Sequence, residues 1–268
     1  MKTRSNLLLS GIVAILFSGC QEKVVDRYLV NAPVYMDRNE FKNAVKTTGS
    51  TDIVKPGKIY FKDDMIFINE SLKGIHVIDN SDPAAPVFVS FIEIPGNVDM
   101  AIKDSILYAD SYIDLVALNI ADIHNIREVG RVDSIFPYSL PPLTDDNGLP
   151  VGEVDPNEGI VVGWETKEVE VEVNQGNSRF PFLWEGDIMY ENNYAGSKAN
   201  STGDGGMSVG IAGSMARFTL HENFLYTVDQ SNLRVLDIDA LTSPLLISDQ
   251  YIGWGVETVF PYKNKLFF

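Results

Sequence analysis

Lys58-Ile-Tyr-Phe-Lys-Asp-Asp-Met-Ile-Phe-Ile-Asn-Glu-Ser-Leu-Lys-Gly-Ile-His-Val-Ile-Asp-Asn-Ser-Asp-Pro-Ala-Ala-Pro-Val-Phe-Val-Ser-Phe-Ile-Glu-Ile94 decides the fold, because the chain repeats it. Residues 99–132, DMAIKDSILYADSYIDLVALNIADIHNIREVGRV, form a second version of the same pattern. A third follows Met215, ARFTLHENFLYTVDQSNLRVLDIDALTSPLLISDQYI, and a fourth runs from Val256 to Phe268. An aromatic residue in the second apolar run of each unit falls at Phe67, Tyr108, Tyr226 and Phe267, with separations of 41, 118 and 41 residues. The outer two values fix the period. The middle one is a period plus 77 residues, which places an insertion at about 138–214.

Each unit holds four short runs rich in β-branched and aromatic residues, separated by turn formers. In the first unit these are Ile59–Phe61, Met65–Asn69, Ile75–Asp79 and Val87–Ile94, with Asn80-Ser81-Asp82-Pro83 turning the chain before the last. No unit sustains a helical i, i+3, i+4 pattern. A period of 40 to 45 residues carrying four strands is the signature of a propeller blade. The expected fold is therefore all-β: a β-propeller of four-stranded antiparallel blades of about 41 residues. It is expected to be incomplete, because the last unit stops inside its second strand, as in a truncated chain.

The segments GIHVIDNSDPAAP, DLVALNIADI and NLRVLDIDALTSP, together with IPGNVDMAI, resemble the LVIVD repeat family of bacterial surface proteins. The resemblance covers about 130 of the 268 residues and extends to the PVYMDRNEF stretch that precedes the repeats. It implies a propeller-like β architecture and an envelope location. It carries over no reaction.

The N-terminus points to the same compartment. Lys2 and Arg4 precede an apolar run of 11 residues, Leu7 to Phe17, which ends in Ser18-Gly19-Cys20, and Cys20 is the only cysteine. That run fits a signal-peptide core and is too short to span a bilayer. The reading is a lipoprotein signal at 1–19 and an acylated Cys20 that anchors the mature chain to a membrane. Residues 20–56 then read as a lipid-anchored tether. It holds one short helix, in which Asp37 and Glu40 stand at capping-box spacing and Phe41, Ala44 and Val45 form an apolar face. The partial propeller occupies 57–268. Gln21, not aspartate, immediately follows Cys20, so the Asp that favours inner-membrane retention is missing and the outer membrane or cell surface is the expected location.

Composition narrows the partners. The formal charge is −16, and −18 once Lys2 and Arg4 leave with the signal, so a nucleic acid would be repelled. With 45% apolar and 22% charged residues the chain is that of a folded globular protein. With Cys20 committed to lipid, no disulfide forms, and His76, His124 and His221 have no zinc spacing. Gly203-Asp204-Gly205-Gly206 fits neither a P-loop nor a dinucleotide fingerprint, and no GxSxG elbow is present. Asp146-Asn147-Gly148 reads as a turn, with calcium as the other possibility. No cofactor is expected.

Two sets of residues are candidates for a binding face. Lys58, Asp99 and Arg217 lie nine residues before their unit's aromatic and Glu257 lies ten before, near the start of the strand that lines a propeller's axis. Their signs alternate, and they read either as ion pairs joining blades or as a ring for a polar ligand. All three tryptophans, Trp164, Trp184 and Trp254, map to loops on that same face. They suit either a sugar or peptide surface or the private core of the insertion, whose expected hairpin joins Ile160–Trp164 to Glu168–Val173. The insertion is also long enough for two degenerate blades. The expected function is a non-catalytic binding or scaffold protein for a protein, peptide or glycan. The competing reading is a propeller-type glycan hydrolase or lyase with acid and base at its mouth.

Overall fold

The computed structural model describes residues 25–137, 139–143, 148–172, 217–229, 231–253, 256, 258–263 and 265–267. Three antiparallel sheets carry the repeat. Blade 1 contains β3 (Pro56–Lys62), β4 (Met65–Glu70), β5 (Gly74–Asp79) and β6 (Val87–Glu93). Blade 2 contains β7 (Met100–Lys103), β8 (Ile106–Ser111), β9 (Asp114–Asn119) and β10 (Arg127–Val132). Blade 3 contains β12 (Phe218–His221), β13 (Phe224–Val228), β14 (Asn232–Asp237) and β15 (Leu245–Tyr251), and β16 (Phe260–Tyr262) pairs with β17 (Lys265–Phe267).

The units are equivalent residue by residue. Each marker aromatic pairs with the residue seven positions earlier: Phe67 with Tyr60, Tyr108 with Ala101, Tyr226 with Thr219 and Phe267 with Phe260. The two-residue turn between those strands opens on a residue with φ of 52° to 54° in all four units: Asp63, Asp104, Glu222 and Lys263. Such left-handed turns match the twist of the strands they join. After the third strand, Asp79, Asn119 and Asp237 each accept a hydrogen bond from the backbone N–H two residues on, which starts the turn into the fourth strand. A bulge follows at matching places, facing Val77/Ile78, between Glu128 and Gly130, and facing Val235/Leu236.

Stacking of the sheets makes the core. Phe67, Ile75, Val77 and Ile92 of blade 1 meet Met100, Leu107, Val116 and Leu118 of blade 2. Ala101, Tyr108, Leu115 and Ala117 on the other side of blade 2 meet Phe218, Leu225 and Leu236 of blade 3. The innermost strands lie side by side in the order β3, β7, β12, β16. Blade 3 therefore sits directly on blade 2, although the insertion separates them in the chain. A Cβ at Gly130 would lie 1.9 Å from the carbonyl oxygen of Thr242, so only glycine permits the approach of β10 to the turn before β15. No described part of the insertion forms a blade.

The remaining elements differ from the expected tether and hairpin. β1 (Val25–Met36) pairs along its whole length with β11 (Ile160–Glu172), so Ile160–Trp164 and Glu168 onward belong to one continuous strand. The intervening Glu165-Thr166-Lys167 contains no glycine or asparagine to make a tight turn, and β1 offers a partner with opposite charge, Arg27 against Glu168 and Glu170. Asp37 caps α1 (Arg38–Asn43), its carboxylate accepting from the Asn39 and Glu40 N–H groups. β2 (Lys46–Thr48) then adds a fifth strand outside β6. Among the described residues no helix is long and apolar enough to cross a membrane.

Candidate binding face

The turns between the second and third strands and the segments entering the first strands lie at one end of the blades. There the sequence places polar residues in strands that are otherwise apolar. Asn69 and Asp110 stand two positions after their unit's aromatic, and Glu70, Ser111 and Asp229 three after, and all five are buried. Sequence reading by the first-strand charges passed over them. The signal that marks them is a polar residue recurring two or three positions after the aromatic, at the end of an apolar strand.

Lys58, Asp99 and Arg217 come together at this end, and Glu257 lies outside the described residues. The Lys58 side chain is 12% exposed, and its ammonium is 2.7 Å from Oδ1 of the fully buried Asp99. It also donates to the carbonyl oxygens of Met100 in blade 2 and Phe218 in blade 3. Oδ1 of Asp99 accepts from the Met100 N–H at 2.6 Å, and Oδ2 accepts from the Phe218 N–H at 2.8 Å. One ion pair thus ties three successive blades together.

A second chain of contacts runs beneath. Asn69 donates to Oδ1 of Asn97, and Asn97 donates to Oδ1 of Asp110 at 2.8 Å. The same Asp110 oxygen accepts from the Val98 and Asp99 N–H groups. Oδ2 of Asp110 faces the Arg217 guanidinium at 3.8 Å. Burial pushes the Asp99 and Asp110 carboxyls up from their ordinary range, with Lys58 and Arg217 opposing that push.

Each blade also holds a nitrogen-bearing side chain, His76, Arg131 or Arg234, against an aromatic ring near this end. His76 lies 4.7 Å from the Phe91 ring and 3.2 Å from Glu70. Arg131 sits over Phe41 and bonds Asp114 and Glu128, and Arg234 sits over Phe136 and bonds Asp229 and Asp249. The Glu70 carboxyl is held below its ordinary value: burial would raise it, but the Val54 and Lys55 N–H groups and His76 outweigh that.

Over blade 2 this end is covered. Phe41 and Ile160 pack on Tyr112 in the turn between β8 and β9, with Met36, Ile113 and Val162 around them. The Tyr112 hydroxyl donates to the carbonyl oxygen of Val162 at 3.0 Å, and that of Tyr108 donates to Leu241 in blade 3 at 2.8 Å. Burial pushes both phenols up to about 12. Trp164 is half-buried and donates its indole N–H to Pro141, so it belongs to the packing of the insertion. Trp184 and Trp254 lie outside the described residues.

Residues 212–250, which include blade 3 except its last residue, match the LVIVD repeat family. The chain contains an LVIVD repeat. The turn started by the Asp237 side chain and the bulge at Val235/Leu236 fall inside the LVIVD match, and both recur outside it, the turn at Asp79 in blade 1 and Asn119 in blade 2. No curated protein matches the chain.

Among solved structures, one titled as S. cerevisiae Dbp5 L327V bound to Nup159, Gle1 H337R, IP6 and ADP is similar at 10% identity. The match covers 80% of this chain and 53% of that one, with a TM-score of 0.28. A crystal structure of the N-terminal domain of Nup159 is similar at 9% identity over 90% of this chain and 73% of that one, with a TM-score of 0.27. The chain thus spans about half the length of the first. Likeness at this level carries no architectural argument, and the propeller-like assignment rests on the repeated registers.

Proposed function

We propose that the protein is a lipid-anchored β-propeller of the cell envelope, on the outer membrane or cell surface, that acts as a non-catalytic scaffold or binding protein for a protein, peptide or glycan. The observation that carries the non-catalytic reading is the occupation of the axial charges. Asp99 and Asp110, the carboxylates that an acid–base enzyme would present at a propeller's mouth, are instead committed to backbone N–H groups, Lys58 and Arg217. A general acid or base must reach a substrate proton, and these carboxylates spend their lone pairs joining blades. The LVIVD repeat and the apolar run that ends at Cys20 support the envelope location.

Expression of the full chain in a bacterial host fed an alkyne fatty acid tests the anchor. The wild-type chain should take up the label and sediment with membranes, and Cys20→Ser should lose both properties. An unlabelled, soluble wild-type chain would overturn the lipid anchor and with it the membrane location.

A further inference from the structure

β2 and β10 are the outer edge strands of blades 1 and 2, each hydrogen-bonded on one side only. Between them runs a groove of about 620 Å³, within the size range of ligand sites. We propose that this groove docks the carboxyl-terminal end of an extended peptide. The proposal rests on the reading of the protein as a binding protein and is independent of the lipid anchor.

Four features of the groove match the four parts of such a ligand. Val45, Val89, Ile92 and Leu118 give its mixed lining an apolar part that would receive alternate side chains of a strand. The free edge of β2 is three residues long, about 10 Å at about 3.3 Å per residue, and offers backbone donors and acceptors to an added strand. Ser90 lines the groove, is 6% exposed, and its hydroxyl has no hydrogen-bond partner. Ser90 pairs with Val77 on β5, so its side chain lies on the face of blade 1 that looks toward blade 2. A buried hydroxyl without a partner is costly, and a peptide N–H or C=O would satisfy it.

The charges select the end of the chain. Lys46 is matched by Glu93, and Glu128 is matched by Arg131. Arg127 also lines the groove and pairs with no acid among the described residues. The Thr47 hydroxyl donates to the carbonyl oxygen of Ile126 at 3.0 Å, which bridges the two walls one residue before Arg127. A strand entering the groove stops at that bridge with a guanidinium beside its last residue, the geometry of carboxylate capture.

The test is selection of a displayed library of random hexapeptides with free carboxyl termini on the detergent-solubilised full chain. Affinities of the enriched peptides are then measured by fluorescence polarisation. Amidation of their termini and Arg127→Gln should each weaken binding by about tenfold or more, and Ser90→Ala should weaken it by less. Gly49→Trp should abolish binding without lowering the melting temperature, because Gly49 lines the groove and a Cβ there meets nothing within 4 Å. Failure to enrich peptides over the Gly49→Trp control would overturn the proposal. So would peptides indifferent to amidation and to Arg127→Gln, or peptides that still bind Gly49→Trp. A soluble, unlabelled wild-type chain that still binds such peptides would defeat the anchor alone.

Discussion

The blades and the β1–β11 ribbon are both antiparallel β structure, yet they are held by different forces. A blade closes through hairpins a few residues long, and its faces disappear into the cores between neighbours, where residues such as Leu107, Val116 and Tyr108 are fully buried. The ribbon joins strands more than 120 residues apart, and its charged ladder of Arg27, Glu168 and Glu170 stands in solvent. Its anchorage is the small cluster of Phe41, Tyr112 and Ile160 on blade 2. Local pairing and stacking make the blades one cooperative unit, whereas the ribbon depends on contacts at its base.

Breaking the blade stack should have the largest effect. Asp99→Ala leaves the Lys58 ammonium without its counter-charge and the Phe218 N–H without its acceptor, and should cost about 3–5 kcal/mol, read from the urea midpoint. A loss below about 1 kcal/mol would show that the pair does not join the blades. Next in size is Glu70→Gln, which exchanges the carboxylate that binds the Val54 and Lys55 N–H groups for a neutral amide and should cost about 1–3 kcal/mol at neutral pH. Because the folded state holds the Glu70 carboxyl below its ordinary 4.5, its contribution is present above that value and is lost as pH falls through the lowered one. The stability gap between wild type and Glu70→Gln should therefore be full above about pH 5 and shrink below about pH 4. A gap that grows on acidification would contradict the assignment.

The ribbon should respond more weakly and more locally. Tyr112→Phe removes the hydrogen bond to Val162 and should cost about 0.5–1.5 kcal/mol. Amide exchange should quicken in β1 and β11 while β8 and β9 stay protected. Equal loss of protection in the blades would erase the distinction drawn here. Arg27→Ala should change global stability by less than about 1 kcal/mol, because both of its partners are exposed and water screens the pairs. Salt titration of the wild-type ribbon should give an effect of similar size.

The same contrast explains what could be read from the sequence. Phe67, Tyr108, Tyr226 and Phe267 fixed the registers because the information that forms a blade lies within about 40 residues and is repeated. The turn at Asn80-Ser81-Asp82-Pro83 was legible for the same reason. The pairing of Val25–Met36 with Ile160–Glu172 has no such signal: alternation says that each segment is a strand and nothing says which partner it takes. Lacking a partner for Glu168 onward, sequence reasoning folded the segment on itself. The candidate site was half legible. Lys58, Asp99 and Arg217 do converge, but their burial with Asn97 and Asp110 follows from how closely β3, β7 and β12 approach, which spacing along the chain cannot report. Arg127 and Ser90 drew no notice, since the groove they line exists only once β2 is laid beside β6.

The direct seating of β12 against β7 also has an evolutionary meaning. Polypeptide that leaves blade 2 after Val132 returns to a landing place one strand away, so the distance to be bridged is independent of how much chain intervenes. Loop-closure entropy grows only with the logarithm of length, about 0.6 kcal/mol per doubling. That seam is a port at which new sequence can be spliced into the protein while the stack on either side is left undisturbed.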